Sequence, residues 1–384
     1  MTTSLQRRSA PARPSREGES GGITRGEVLV LVALTAAGAF LRFATLDTQS
    51  FWFDEAITVG LLRLDLWHML SALPHSESTP PLYYLAGWGW AKLFGTGEVG
   101  LRSLSALCGT ALVPVAYRAG ALVLSRRTGL FAAALVAFNP LLVWYSQEAR
   151  AYALLTLLCG LSFALFLSFL KTARGPTLAW WALVSALALA THYFAAFLIV
   201  PEAVWMLATR RLRPAVWAAT GAVSAAGVAL LPLALVQRSH GRTDSITAIP
   251  LTHRVVDLVK HYAAGLRTPP VAMALPAGLL LLVALVLLLT RAGPREKRAA
   301  VVAGAMGVAA IAVPLVLALG GLDYFITRNL LGAALPITLV AAIGFGVRRA
   351  PRLGLAAAVA TCAVYSVIAV ATATDADLQR DDWR

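Results

Sequence analysis

Asp54 and Glu55 stand side by side in the stretch Phe51-Trp-Phe-Asp-Glu-Ala-Ile-Thr58, just beyond the first long apolar run. A carboxylate so placed can take a proton from a hydroxyl as a general base, and its neighbour can orient hydroxyls or hold a divalent cation. An acidic pair is also the ordinary solvated end of a hydrophobic helix, so its meaning depends on what shares its surface. Arg150, in Gln147-Glu-Ala-Arg-Ala-Tyr152, offers a planar guanidinium fork to phosphate oxygens, with a salt bridge to Glu148 as the plainer reading. Arg328, after Asp323-Tyr-Phe, offers a second cation, and His75, Glu77, His192 and His261 stand in other connections between apolar runs. Two adjacent carboxylates do not suit glycosidase chemistry, which needs them across the scissile bond at about 5 to 10 Å. No glycine-rich phosphate loop of Walker or dinucleotide type occurs, which disfavours nucleotide-driven chemistry. Cys108, Cys159 and Cys362 lie inside apolar runs without metal-type spacing.

The elements that must position these residues are membrane helices. Of 384 residues, 58% are hydrophobic and only 14% charged, with a mean hydropathy of +0.72, far from the balance of a soluble domain. A crossing takes roughly 17 to 25 mostly apolar residues, and it is helical because the bilayer core offers a backbone group no partner but another backbone group. Such runs lie near 28–44, 101–124, 129–145, 151–170, 177–191, 193–208, 214–236, 271–290, 299–320, 328–346 and 353–373. The net charge of +14 sits in short clusters between them, a pattern of membrane topology with no nucleic-acid partner implied.

The clusters Arg126-Arg127, Lys171 to Arg174, Arg210 to Arg213, Arg291 to Arg298 and Arg348 to Arg352 fall on one side only if the run 80–94 does not cross. Opened by Pro80-Pro81 and interrupted by Gly87, Gly89 and Lys92, that run suits a re-entrant or interfacial helix. The expected fold is therefore all-α and polytopic, with about eleven transmembrane helices. A disordered basic cytoplasmic tail (1–25) precedes the membrane domain (26–374), which carries a first outer loop (45–95) with interfacial helices and a second (237–270). An outer C-terminal end (375–384) follows. The connection at His192, between two short runs, is expected to be recessed into the membrane. This topology sends Asp54, Glu55, His75, Glu77, Glu148, Arg150, His192, His261, Asp323 and Arg328 to the extracytoplasmic face, where polar residues at membrane depth are functional candidates.

Within the first outer loop, Ala56 to Leu73 reads as an amphipathic helix, and Pro80-Pro81 gives a rigid entry that holds His75 and Glu77 near the acidic pair. The second outer loop is basic against the charge rule, with Arg238, Arg242, Arg254, Lys260, His261 and Arg267. An amphipathic element that grips an anionic lipid head explains it, as does a plain headgroup anchor.

Trp52-Phe-Asp-Glu-Ala56, Pro80-Pro-Leu-Tyr-Tyr84, Gly97-Glu98 with Leu101-Arg102, Trp144-Tyr-Ser-Gln-Glu-Ala-Arg-Ala-Tyr152 and Thr191-His-Tyr-Phe194 resemble motifs of the GT-C membrane glycosyltransferases. The pattern is similar to the protein O-mannosyltransferase and lipid A aminoarabinose transferase group, over most of residues 28–384. The resemblance implies an inverting transfer of mannose, or another hexose or pentose, from a polyprenyl-phosphate carrier to a glycan, lipid or protein acceptor in the plasma (inner) membrane. It makes Asp54 the catalytic base, with Glu55 beside it. His75, Glu77, Tyr83, Arg150, Tyr152, His192, Tyr193, His261 and Arg328 then line the substrate site, with His192 shaping it. Such chemistry needs one base and positive charge for the departing phosphate, so no cofactor is required, although Mg or Mn at Asp54 and Glu55 is compatible with it. Relatives often continue into an outer soluble portion beyond a point comparable to residue 384. A transporter or flippase for an anionic or lipid-linked substrate is the rival reading, against which the absence of an internal repeat counts. A non-catalytic scaffold leaves the outer acids, histidines and arginines without a purpose.

Overall fold

The computed structural model describes residues 23–239, 244–267 and 271–380. Nearly all of the expected tail, Arg242 and the last four residues lie outside them. Among the described residues every regular element is a helix. α1 (Arg25–Phe43) starts at a capping box in which Thr24 accepts from Glu27 N, and Glu27 accepts in return from Thr24 N. The first loop then folds as α2 (Phe53–Arg63), α3 (Leu66–Ser76) and α4 (Leu82–Phe94). Where one amphipathic helix is expected there are two. The chain is extended at Leu64, and Asp65 restarts the helix by accepting from Trp67 N and His68 N. With 13 residues, α4 is about 20 Å long and too short to cross.

The bundle follows as α5 (Glu98–Val123), α6 (Arg126–Phe138), α7 (Pro140–Ser146), α8 (Tyr152–Thr172), α9 (Gly175–Thr191), α10 (Ala196–Arg210), α11 (Pro214–Ala229) and α12 (Leu231–Arg238). A short α13 (Asp244–Thr247) precedes α14 (Leu251–Ala264), α15 (Val271–Arg291), α16 (Pro294–Leu319), α17 (Ala334–Phe345) and α18 (Pro351–Thr374). 3-10 turns occupy Tyr193–Ala195, Thr327–Ala333 and Ala376–Leu378. Among the described residues, 9 helices are long and apolar enough to cross a membrane; α6 and α7, bent by 57°, make a tenth if they count as one span. All the apolar runs of the sequence are thus helical, but the expected count of eleven is reached only if α9, with 17 residues, also crosses.

α5 lies at the centre, packed on α6 and α8, with the mostly buried α8 and α17 beside it. The bend between α6 and α7 is set by Pro140, which has no N–H for Val136 O. The fully buried Arg42 of α1 takes over, donating from Nη2 to Val136 O at 2.9 Å and from Nη1 to Ala137 O at 2.8 Å. Gly109 of α5 lets this corner close, since a Cβ there would overlap Ser146 Oγ and stand 2.9 Å from Arg42 Nε. Between α8, α9 and α10, Glu202 accepts from Ser162 Oγ at 2.6 Å and Trp181 Nε1 at 2.7 Å, the kind of polar link that joins helices where no water is at hand.

Candidate active site

Asp54 and Glu55 occupy the first turn of α2, where a helix N-terminus favours negative charge. The turn projects them about 100° apart, one inward and one toward the surface. Glu55 is fully buried and accepts from Arg102 Nε at 2.9 Å, Arg102 Nη2 at 2.6 Å, Ala149 N at 2.7 Å and Trp52 N at 3.3 Å. The expectation that Glu55 orients hydroxyls or holds a cation is therefore corrected: both oxygens are taken and no atom reaches the surface. Arg102 stands in the Leu101-Arg102 motif with no assigned role. Here its other donors go to Leu46 O, Gln49 O and Ser50 O, so it fixes the approach to α2 from α5. Asp54 keeps its carboxylate 24% exposed, facing Arg328 Nη1 at 3.6 Å.

Arg150 lies in the turn between α7 and α8, and Glu148 is not its partner. Its two terminal nitrogens grip Glu77 at 2.6 and 2.9 Å, and Nη1 also donates to Thr58 Oγ1 at 2.9 Å and Asp54 O at 3.1 Å. With 9% of the side chain exposed, Arg150 has no fork to offer a phosphate, and Glu77 no oxygen to offer a sugar. They clamp the first loop onto the bundle. Glu148 instead meets Arg380, whose Nη2 lies 2.7 Å from Oε1, and Trp144 Nε1 at 2.9 Å. Burial raises the Glu148 carboxyl above its ordinary range, against the pull of Arg380.

Arg328, with 30% of its side chain exposed, is the cation beside Asp54 that keeps open surface. Tyr152, at the start of α8, packs its ring on Tyr145 at 5.1 Å and on His192 at 6.1 Å between centroids. His192 is buried in the connection after α9, where its Nδ1 accepts from Phe194 N and burial keeps its pKa below the ordinary histidine value. His261 of α14 bonds Thr327 Oγ1 at 2.7 Å, next to Arg328. Tyr193 Oη donates to Gln237 Oε1 at 2.8 Å, and Gln237 reaches on to Thr79 O at 3.0 Å, which ties α12 to the first loop. Tyr83 is 1% exposed and packs beneath the site against Ala149 and Ala151, with no surface open to a substrate, while His75 sits exposed in the last turn of α3.

The second outer loop does carry an amphipathic helix, α14, with Leu258 buried against Phe325 and Leu330 while Val256 and Val259 face outward. Its buried Arg254 is not a lipid grip. It pairs with Asp323 at 2.7 and 2.6 Å and donates to Phe325 O at 2.8 Å, holding the segment that leads to Arg328. The Arg254 bond draws the Asp323 carboxyl below its ordinary value. Among the described residues no three His, Cys, Asp or Glu side chains converge as metal ligands do. A cation at Asp54 would find one free carboxylate and Arg328 in the adjoining place, a donor set that does not fit a metal well.

The helical bundle matches solved structures along most of its length. ArnT from Cupriavidus metallidurans in the apo state aligns with a TM-score of 0.60 and 16% identity, over 86% of this chain and 62% of that one. The fold is GT-C. The same enzyme bound to undecaprenyl phosphate aligns at 0.58 with 17% identity, again over 86% and 62%. An Archaeoglobus fulgidus oligosaccharyltransferase tethered to an acceptor peptide aligns at 0.53 with 13% identity, over 91% of this chain and 55% of that one. The family model described as dolichyl-phosphate-mannose-protein mannosyltransferase matches residues 78–236. No curated protein matches the sequence significantly. The chain is an integral membrane protein, and it spans 62% of the ArnT chains it resembles.

Proposed function

We propose that this GT-C chain is a glycosyltransferase that moves one sugar from a polyprenyl-phosphate carrier to an acceptor hydroxyl at the extracytoplasmic face of the plasma membrane. The observation that carries the reading is the pairing of a part-exposed carboxylate, Asp54, with a part-exposed guanidinium, Arg328, at 3.6 Å. The undecaprenyl phosphate bound by ArnT and the mannosyltransferase family match over 78–236 support the donor class. Asp54 takes the proton from the acceptor hydroxyl as its oxygen bonds to the anomeric carbon from the face opposite the phosphate. The bond from that carbon to the phosphate oxygen breaks, its electrons leave with the polyprenyl phosphate, and the configuration inverts. The sugar enters between Asp54 and Arg328 and parts the pair, and Arg328, on the far side of the anomeric carbon, meets the charge that develops on the phosphate, so no metal is assigned to the step. Glu55 and Arg150 hold Asp54 and touch neither substrate.

The test is transfer from radiolabelled polyprenyl-phosphate mannose and related sugar donors to membrane extracts, with and without EDTA, compared with Asp54→Asn. The wild type is expected to transfer with one of these donors in the presence of EDTA, and Asp54→Asn to lose about 100-fold or more. Full activity in Asp54→Asn removes the base, and transfer that stops with EDTA removes Arg328 as the sole counter-charge.

A further inference from the structure

Arg380 lies beyond α18 in a segment no motif marks, yet its side chain is 7% exposed. After α18, Asp375 caps a single 3-10 turn by accepting from Asp377 N at 3.1 Å, and Gln379 Nε2 bonds back to Ala373 O at 2.6 Å. The chain then meets the first loop, where Arg380 N donates to Gln49 Oε1 at 3.0 Å. The guanidinium lies over the Trp144 ring, 4.1 Å from its centroid, with Nη2 at 2.7 Å from Glu148 Oε1. Among the described residues Glu148 Oε2 is buried with no hydrogen-bond partner, and Arg380 is the cation paired with this carboxylate. The next two residues carry the effect onward: Ala149 N holds Glu55, and Arg150 holds Asp54 O, Thr58 and Glu77. One short turn therefore links the tail to the base.

We propose that Arg380 is a positioning residue for Asp54, a strap that holds the 148–150 turn and through it the first turn of α2 from the far end of the described chain. Without it a buried carboxylate has no cation, and the turn must move toward water or take up a proton. The consequence for transfer rests on Asp54 being the base; the mechanical coupling does not.

Amide exchange of the full chain in detergent reads the coupling directly. In Arg380→Gln, exchange over 53–58 is expected to rise about tenfold, because the turn that pins Glu55 opens more often. Glu148→Gln added to Arg380→Gln removes the stranded charge and is expected to return 53–58 to the wild-type rate. In transfer from polyprenyl-phosphate mannose, the single variant is expected to lose kcat with KM for the donor unchanged, and the double variant to recover it. Faster exchange confined to 144–150 and 375–380, with 53–58 at the wild-type rate, overturns the proposal, as does a double variant no better than the single. Should Arg380→Gln not fold, Arg380→Lys, which keeps charge but loses the plane on Trp144, is read by the same rule at 53–58. A wild type that transfers no sugar defeats the functional reading and leaves the exchange result to decide the coupling.

Discussion

Replacing Arg102 by Ala removes the partner of a carboxylate with no exposed surface. Arg102 donates twice to Glu55 and once each to Leu46 O, Gln49 O and Ser50 O, and it is 1% exposed itself. After truncation Glu55 keeps only the Ala149 and Trp52 amides, and three loop carbonyls lose their donor. Breaking a buried pair from one side costs about 3 to 5 kcal/mol. The loop carbonyls add less, since the emptied space can admit water to them. Against a folding free energy of about 5 to 15 kcal/mol, that loss takes a large share of the total. Thermal unfolding in detergent is the assay, with Lys260→Ala as control, because Lys260 and Asp257 are 3.9 Å apart and about half exposed. The control is expected to melt within about 1 kcal/mol of the wild type. Glu55→Gln is expected to fall between the two, since it keeps acceptor and shape but strands the Arg102 charge. A melting transition of Arg102→Ala indistinguishable from the control refutes the assignment of this pair as the anchor of the first loop.

Arg328→Gln is expected to lower kcat by about 10² to 10³-fold, the loss usual for one transition-state donor, while the melt stays near the wild type because the pair with Asp54 is part-exposed. A large melting shift in that variant reassigns Arg328 to structure. Gly109→Ala places a methyl into Ser146 Oγ and Arg42 Nε, and is expected to destabilise by about 1 to 3 kcal/mol in the same melt. For pH, the Arg254 bond depresses the Asp323 carboxyl below its ordinary 3.8. The stability it confers is complete above that value and is lost as pH falls through the depressed one. Arg254→Gln should therefore lower the melting temperature at neutral pH and narrow its gap to the wild type under acid; a gap constant with pH excludes the ion pair as the cause.

The membrane class and the helical character of each apolar run were legible in composition, because burial in lipid forces every backbone group into local hydrogen bonds. The run that forms α4 was also legible as a poor candidate for a crossing, from its length, its opening prolines, its glycines and Lys92. The break at Leu64 was less so. An amphipathic stripe looks alike in one helix or two, and only the Asp65 cap separates them. Asp54 became the candidate base through the resemblance of its motif to the GT-C enzymes, since an acidic pair after a first span is also an ordinary helix end. What its neighbours do was not.

Adjacent residues on a helix project about 100° apart, so the sequence determined that Asp54 and Glu55 diverge, but not which of them is buried. That was decided by Arg102, which lies 47 positions from Glu55 and claims it inside the bundle. Likewise a guanidinium is the same in the sequence whether it binds phosphate or Glu77, and only tertiary packing, which desolvates Arg150 and leaves Arg328 part-exposed, separates a clamp from a candidate binding group. The sequence alone determined a polytopic helical membrane protein with its polar residues gathered between apolar runs. The tertiary structure decided which charges are spent on each other, because that depends on distance and burial between residues far apart in the chain.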